Sequence, residues 1–409
     1  MTQPVYFQSL TLSELAEHLL PLSRAEDPGK REKQALLRAR QAFKWVYQRH
    51  VNHFSEMSDL SKEVREYLSA TLTLYRLSVH HKQQAIDGTY KFLWNLGDSK
   101  TIESVIIPAA LQEKDEVPEP DSEVFSGRVL RNSEEAPEVP LTREQFGRLT
   151  ACISSQVGCA MACKFCLTGI QGLDRSLEVH EIVAQVHELR RRAPITNIVF
   201  MGMGEPLHNF ENVTRACKIL IDPNGLGFSK RKVTISTSGL VPKIEELGRT
   251  VDVSLAISLN ATTDEIRSEI MPVNKKWPLK ELLRACREYP LGSHRRITFE
   301  YVLLKDLNDQ VEDAHRIVAL LSGIPSKVNL IPFNEHFGSV YKRPSDSHVR
   351  KFQKVLLDRG MTATVRISRG RDILAACGQL KSLFGTARGT DKTLARAREA
   401  STLDRIPGV

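Results

Sequence analysis

Leu149-Thr150-Ala151-Cys152-Ile153-Ser154, followed after four residues by Cys159-Ala160-Met161-Ala162-Cys163-Lys164-Phe165-Cys166, decides the fold. The first run reads as an apolar strand. The second spaces three cysteines as CxxxCxxC on the loop after that strand. Thiolates at these intervals can hold three corners of a [4Fe-4S] cube and leave the fourth iron open to an outside ligand. A closed structural zinc site takes four protein ligands, and no fourth Cys or His lies at a suitable local spacing. Three inert buried thiols are the bland alternative.

Outward from this stretch, apolar runs recur at 149–154, 196–201, 232–236, 253–257, 296–302 and 327–332, with a further β-rich run at 362–368. Helical patterns such as 178–192, 209–221, 263–270 and 309–321 separate them. Six strand-helix units predict an α/β fold with a parallel sheet, curved into a partial TIM-like (β/α)6 barrel. Such barrels carry their chemistry at the C-terminal ends of the strands. There the sequence places Met201-Gly202-Met203-Gly204-Glu205-Pro206, Thr234-Ile235-Ser236-Thr237-Ser238-Gly239, Ser258-Leu259-Asn260-Ala261 and Pro332-Phe333-Asn334. Small residues in the first of these let the backbone approach a ligand, and Glu205 supplies an acceptor. Taken singly each is more often a turn than a ligand; their shared rim favours a site.

Before this core, residues 10–80 read as helices. Lys30, Arg31, Lys33, Arg38, Arg40, Lys44 and Arg49 stand there beside Phe43, Trp45 and Tyr47, either as a solvated helix face or as a small RNA-gripping domain. Residues 85–108 alternate in strand fashion and suggest a short hairpin connector. The expected layout is therefore 1–80 as an N-terminal helical domain, 81–148 as connector plus insertion, 149–380 as the core and 381–409 as a polar tail.

The insertion skews the charge. Residues 109–145 carry ten acids and four bases, so the net +8 of the 409-residue chain becomes +14 without them, which favours a polyanionic partner. The seven cysteines are odd in number and clustered, unlike a secreted disulfide framework. No apolar run approaches the roughly 18 to 20 residues that span a bilayer, and no secretory pattern opens the chain. A soluble cytoplasmic protein is expected.

The cysteine loop, with Phe165 in it, resembles the radical S-adenosylmethionine superfamily. Further segments narrow the likeness: Arg40-Gln41-Ala42-Phe43-Lys44-Trp45-Val46-Tyr47, Cys152-Ile153-Ser154-Ser155-Gln156-Val157-Gly158-Cys159, Met271-Pro272-Val273-Asn274-Lys275-Lys276-Trp277-Pro278-Leu279 and Ile373-Leu374-Ala375-Ala376-Cys377-Gly378-Gln379-Leu380. Together they resemble the RlmN family of dual-specificity RNA adenine-C2 methyltransferases over essentially the whole chain.

That resemblance implies a barrel of the radical S-adenosylmethionine type and one [4Fe-4S] cluster on Cys159, Cys163 and Cys166. It implies two S-adenosylmethionine molecules per turnover and cofactor contacts at Gly204, Glu205, Ser236, Ser258, Leu259, Asn260 and Asn334. In the family the cysteine matching Cys377 first takes a methyl group, and a 5′-deoxyadenosyl radical then abstracts hydrogen from it. The carbon adds to C2 of the adenine, a centre too poor in electrons for ordinary methyl displacement. The residue matching Glu103 accepts a proton, and the one matching Cys152 attacks the sulfur of Cys377 to leave a transient disulfide. Expected partners are 23S rRNA, tRNA and an electron donor such as flavodoxin, for a monomeric enzyme. Asn260 departs from the histidine expected there. A sister group methylates C8 of the same adenine; Pro206 and Val157 favour the C2 enzyme. The rival of another class is a non-catalytic RNA-binding or ribosome-assembly factor with a structural metal.

Overall fold

Thr11 starts the first helix, α1 (Leu12–Leu19), with a reciprocal cap: its hydroxyl accepts from the Glu14 N–H, and the Glu14 carboxylate accepts from the Thr11 N–H at 2.8 Å. Asp27 caps α2 (Pro28–Tyr47), with Pro28 where a missing N–H costs nothing, and Ser61 caps α3 (Lys62–Thr71). Helical periodicity puts Ala35, Ala39, Ala42, Phe43, Val46 and Tyr47 on the buried face of α2, where Phe43 and Tyr47 pack on Phe7. The opposite face exposes Lys30, Lys33, Leu37, Arg40 and Lys44 at three- and four-residue spacing. Arg38 does not share that face, because its guanidinium donates to the Leu22 carbonyl at 2.9 Å.

The computed structural model describes residues 4–109, 147–336 and 338–380. The acidic stretch from residue 110 onward and the 381–409 tail lie outside the described residues. After α3 come β1 (Ser78–Gln84), β2 (Tyr90–Asn95) and β3 (Thr101–Pro108), an antiparallel meander with one strand more than the expected hairpin. β3 pairs antiparallel with β4 (Leu149–Cys152), so the meander extends the core sheet. β5 (Gln156–Gly158) and β6 (Leu173–Ser176) form a separate two-stranded ribbon. β7 (Asn197–Phe200), β8 (Val233–Thr237), β9 (Ser254–Ser258), β10 (Ile297–Leu303), β11 (Ser326–Pro332) and β12 (Ala363–Val365) then complete the main sheet.

The sheet runs β1-β2-β3-β4-β7-β8-β9-β10-β11-β12, with every pair from β4 to β12 parallel. It is an open, partial barrel: the β-rich run at 362–368 contributes only the three-residue β12, and β1 and β12 remain its two edges. Parallel strands are buried on both faces, and the helices between them provide the outer cover. Helix Val179–Arg190 also receives the N-terminal domain: Tyr47 meets His187 edge-on, and Arg76 pairs with Glu188 at 3.2 Å.

Candidate active site

The three-cysteine loop follows β5, not the first parallel strand directly. It is the connection of the β5–β6 ribbon, closed where the Cys159 N–H donates to the Gly172 carbonyl at 2.9 Å. Burial pushes the Cys159 thiol up to about 12 and the Cys163 thiol well above its ordinary value, with the neighbouring thiols adding to both. Thiols in this setting become ligands only when metal charge compensates their ionisation. Among the described residues no three His, Cys, Asp or Glu side chains converge as a single-ion site. Three thiols on one loop, with no fourth protein ligand among them, fit a cube that supplies its own sulfides and leaves one corner open.

Cys159, Cys163 and Cys166 line one end of a cleft of about 880 Å³, counting space open to solvent. Gly204, Glu205, Ser236, Ser258, Asn260, Asn334 and Cys377 line it too, so strand ends far apart in sequence converge there. The carboxylate of Glu205 accepts from the Leu207 N–H at 3.0 Å and from the Ser238 N–H at 2.7 Å, which ties the ends of β7 and β8 together. Asn334 Nδ2 donates to the Cys377 carbonyl at 3.2 Å. Its Oδ1 and Glu300 Oε1 are buried without a hydrogen-bond partner. Both residues line the cleft, and an acceptor such as Asn334 Oδ1, without a donor among the described residues, calls for a ligand carrying hydroxyl or amine donors.

Leu259 is not among the lining residues; it is fully buried, and its carbonyl accepts from Arg267. Asn260 reaches the cleft in a left-handed conformation that asparagine tolerates (φ 55°). Its side chain is already engaged, with Oδ1 accepting from the Val302 N–H at 2.8 Å and Nδ2 directed at the Met271 sulfur. Here asparagine braces β9 against β10.

The glycines of the 201–206 turn answer to packing as well as to any ligand. A Cβ on Gly202 would stand 2.6 Å from the Ile153 carbonyl oxygen, and one on Gly204 (φ +102°) 2.5 Å from the Gln156 side chain. Gly204→Ala is therefore expected to cost about 1–3 kcal/mol in backbone strain and to displace Glu205. Thermal melting and calorimetric titration with S-adenosylmethionine would check it; wild-type values in both would refute it.

Cys377 occupies a junction. It also lines a second, much smaller cavity of about 20 Å³, room for about one water, with Ile107, Ile331, Arg366, Ile367, Ser368, Arg369, Ala375 and Ala376. Burial pushes its thiol up, while the Arg366 guanidinium pulls the other way. Cys152, at the end of β4, is pushed up to about 12 by burial and by the nearness of Cys377. Neither thiol is in a disulfide here. Glu103 lines neither cavity. It is buried on β3, 3.2 Å from Lys91 Nζ, and Lys91 also donates to the Leu374 carbonyl at 3.4 Å, three residues from Cys377.

Three residues of the site have no counterpart among the sequence candidates. Glu300 accepts from the Ser236 hydroxyl at 3.2 Å and faces Arg366 at 3.8 Å. A lone acid inside the apolar run Ile297-Thr298-Phe299-Glu300-Tyr301-Val302-Leu303 was its signal. Arg366 carried none. Arg267, on helix Asp264–Ile270, is wholly buried and donates to the carbonyls of Ser238, Ser258 and Leu259 and to Asn274 Oδ1, at 2.7 to 3.0 Å. It binds the ends of β8 and β9 to the Met271-Pro272-Val273-Asn274 segment.

Known proteins bear on this geometry. The Radical SAM superfamily pattern matches residues 153–318, and that of the ribosomal RNA large subunit methyltransferase N-terminal domain matches residues 32–74. A dual-specificity RNA methyltransferase RlmN of Geotalea uraniireducens is 50% identical over 350 residues, covering 86% of this chain and 92% of the relative. The protein of that name in Syntrophobacter fumaroxidans is 46% identical over 387 residues, covering 94% and 100%. A crystal structure of a radical SAM methyltransferase from Sphaerobacter thermophilus superposes with a TM-score of 0.75 at 39% identity, covering 92% of this chain and 99% of that one. With its three-cysteine cleft and this likeness over nearly the full length of its relatives, the chain belongs to the RlmN family of radical S-adenosylmethionine enzymes.

Proposed function

We propose that the protein methylates C2 of an adenine in RNA, acting on 23S rRNA and on an adenine beside the anticodon of tRNAs. The observation that carries this reading is the place of Cys377, between the cysteine-lined cleft and a second cavity, with Cys152 beside it. When bound, a [4Fe-4S] cluster on Cys159, Cys163 and Cys166 supplies the electron that makes S-adenosylmethionine a radical source. Two molecules of it are used in each turnover.

The chain's own residues then divide the work. Gly204, Glu205, Ser236, Ser258, Asn260 and Asn334 hold the cofactor in the cleft, while Leu259 serves through its backbone. Cys377 carries the methyl carbon as a thioether and presents it to the RNA. Cys152, as thiolate, attacks the Cys377 sulfur; the S–S bond forms as the S–C bond breaks, the carbon leaves with the electron pair into the adenine ring system and takes a proton to become the methyl group, and an external thiol later reduces the disulfide. Glu103 accepts the proton lost from C2, with Lys91 holding the buried acid near the Cys377 segment. A flavodoxin-like donor serves a monomeric cytoplasmic enzyme in this reading; among the described residues no helix is long and apolar enough to cross a membrane.

Reconstituted enzyme with S-adenosylmethionine, a reductant and rRNA fragments is expected to yield 2-methyladenosine by mass spectrometry. Formation of 8-methyladenosine would move the protein to the sister reaction. The exposed face of α2 suits the RNA backbone. Replacing Lys33, Arg40 and Lys44 together by alanine should flatten the dependence of log K on log salt by about 0.7 to 0.9 for every phosphate no longer neutralised. An unchanged slope in filter binding would remove α2 from the RNA interface.

A further inference from the structure

The cleft is built on the C-terminal ends of the parallel strands, so their N-terminal ends form the opposite end of the barrel. There the entrances to four adjacent strands, β8 to β11, are basic. Lys230, Arg231 and Lys232 lead into β8, Arg295 and Arg296 lead into β10, and Lys327 is the second residue of β11. All but the half-buried Arg295 are exposed. Neighbouring strands lie about 4.8 Å apart, so the six cations share a strip about 14 Å wide.

Little in the fold answers that charge. Within the entrances, residues 229–232, 251–253, 291–296 and 325–327, the only acid is Asp252, so six bases face one acid for a net +5. Asp252 already accepts from both Lys230 and Arg295. The acids that end two neighbouring helices are also engaged, Glu288 with Arg284 and Asp358 with Lys354. Helix C-termini draw cations to this end, and Arg249 and Arg359 stand at two of them. Arg231, Lys232 and Lys327 follow no α-helix C-terminus, and among the described residues none of them forms an ion pair. The Arg296 guanidinium donates to the neutral Thr362 hydroxyl at 2.8 Å. Like charges gathered in this way repel one another and work against the compact state, so an outside anion is the partner they suit.

RNA, with a charge at every phosphate, fits such a strip. The chain's own acidic stretch is a more dilute polyanion, net −6 over residues 109–145, although Pro108 and Leu149 on either side of it pair at this same end. An acidic protein that delivers electrons gains nothing here. The cysteine loop lies at the other end, about 17–23 Å away along strands of five to seven residues.

We propose that this end of the barrel is a second RNA-docking face, which holds phosphates of a segment remote from the target adenine. The proposal rests on the reading above that RNA is the substrate. A large folded RNA is then gripped at both ends of the barrel, and a short stem-loop only near the cleft.

The test uses full-length reconstituted enzyme, a folded 23S rRNA domain that contains the target adenine, and the stem-loop cut from it. One variant combines Arg231→Gln, Lys232→Gln, Arg296→Gln and Lys327→Gln; a milder one carries only Lys232→Gln and Lys327→Gln. A third, Arg231→Lys with Arg296→Lys, keeps the charge. With the domain, the quadruple variant should bind at least about tenfold more weakly and flatten log K against log salt by about 0.7 to 0.9 for each phosphate lost. Its KM for the domain should rise with kcat unchanged. The milder variant should show about half the change in slope and the charge-keeping variant none. With the stem-loop, all three should match wild type. Melting temperatures establish that the variants fold, and the milder one carries the test if the quadruple one does not. Equal losses on both RNAs would point to overall charge or to damage, and would overturn the face. Unchanged binding of the domain would overturn it as well, and would leave the acidic stretch as the counter-charge. If wild type forms no 2-methyladenosine but binds the domain through these cations, the face stands and the reaction assignment falls.

Discussion

Replacing Cys377 with alanine is expected to bring 2-methyladenosine formation to the limit of detection, while Cys152→Ala leaves the RNA covalently joined to the protein. The two variants fail differently because the two thiols stand differently. Cys377 lines both cavities, and in the proposed reaction its sulfur is the atom that cofactor and RNA share. Cys152 is 3% exposed, lines neither cavity and is near enough to Cys377 for that residue to help push its thiol up, which suits the proposed attack on sulfur better than a role on the substrate. Denaturing gels with labelled RNA should show a protein-bound band with Cys152→Ala that reducing agent does not release, and none with Cys377→Ala. Cofactor cleavage without RNA methylation by Cys377→Ala would separate the thiol's role from that of the cluster. Product formation by Cys377→Ala would remove the thiol from the chemistry altogether.

The second large effect is expected at Arg267. Arg267→Met removes donors from three carbonyls and one side-chain amide inside the rim of the cleft, where the guanidinium itself is fully buried. Each hydrogen bond to a charged donor is worth about 1.5–3 kcal/mol, so a total destabilisation of at least about 4 kcal/mol is expected, among the larger single-residue effects. Arg267→Lys keeps the charge but not the planar fork, and should recover only part of it. Urea unfolding measures the stability, and calorimetric titration with S-adenosylmethionine measures the rim. A methionine variant with wild-type values in both would mean that the guanidinium only fills space.

Much of the frame was legible in the sequence because parallel strands are short apolar runs with sharp ends. The runs at 232–236, 296–302 and 327–332 fall within one residue of β8, β10 and β11. The β5–β6 ribbon was not legible. β5 is three residues long and β6 is Leu173-Asp174-Arg175-Ser176, so neither carries an apolar alternation. The cysteine loop and the strand-end motifs, each a short local run, do meet in one cleft as the strand order implied. Arg267 was not legible, since Asp264-Glu265-Ile266-Arg267-Ser268-Glu269 has the composition of a surface helix and only the long-range fold buries it. The roles of Cys377 and Cys152 came from resemblance alone, as neither residue has neighbours in sequence that single it out.

The segment bearing Cys377 is stitched back to the cysteine loop: the Leu167 N–H donates to the Gly378 carbonyl at 2.8 Å, and the Thr168 hydroxyl to the Leu380 carbonyl at 2.6 Å across 212 residues of chain. On a ribosome the three cysteines therefore emerge long before the thiol they are to work with. A nascent chain could gather its iron and sulfide early, yet the reactive half of the machine docks only after every parallel strand has been made. A chain stalled before residue 377 would hold the three-cysteine loop without the segment that closes over it, and without the thiol proposed to carry the methyl carbon.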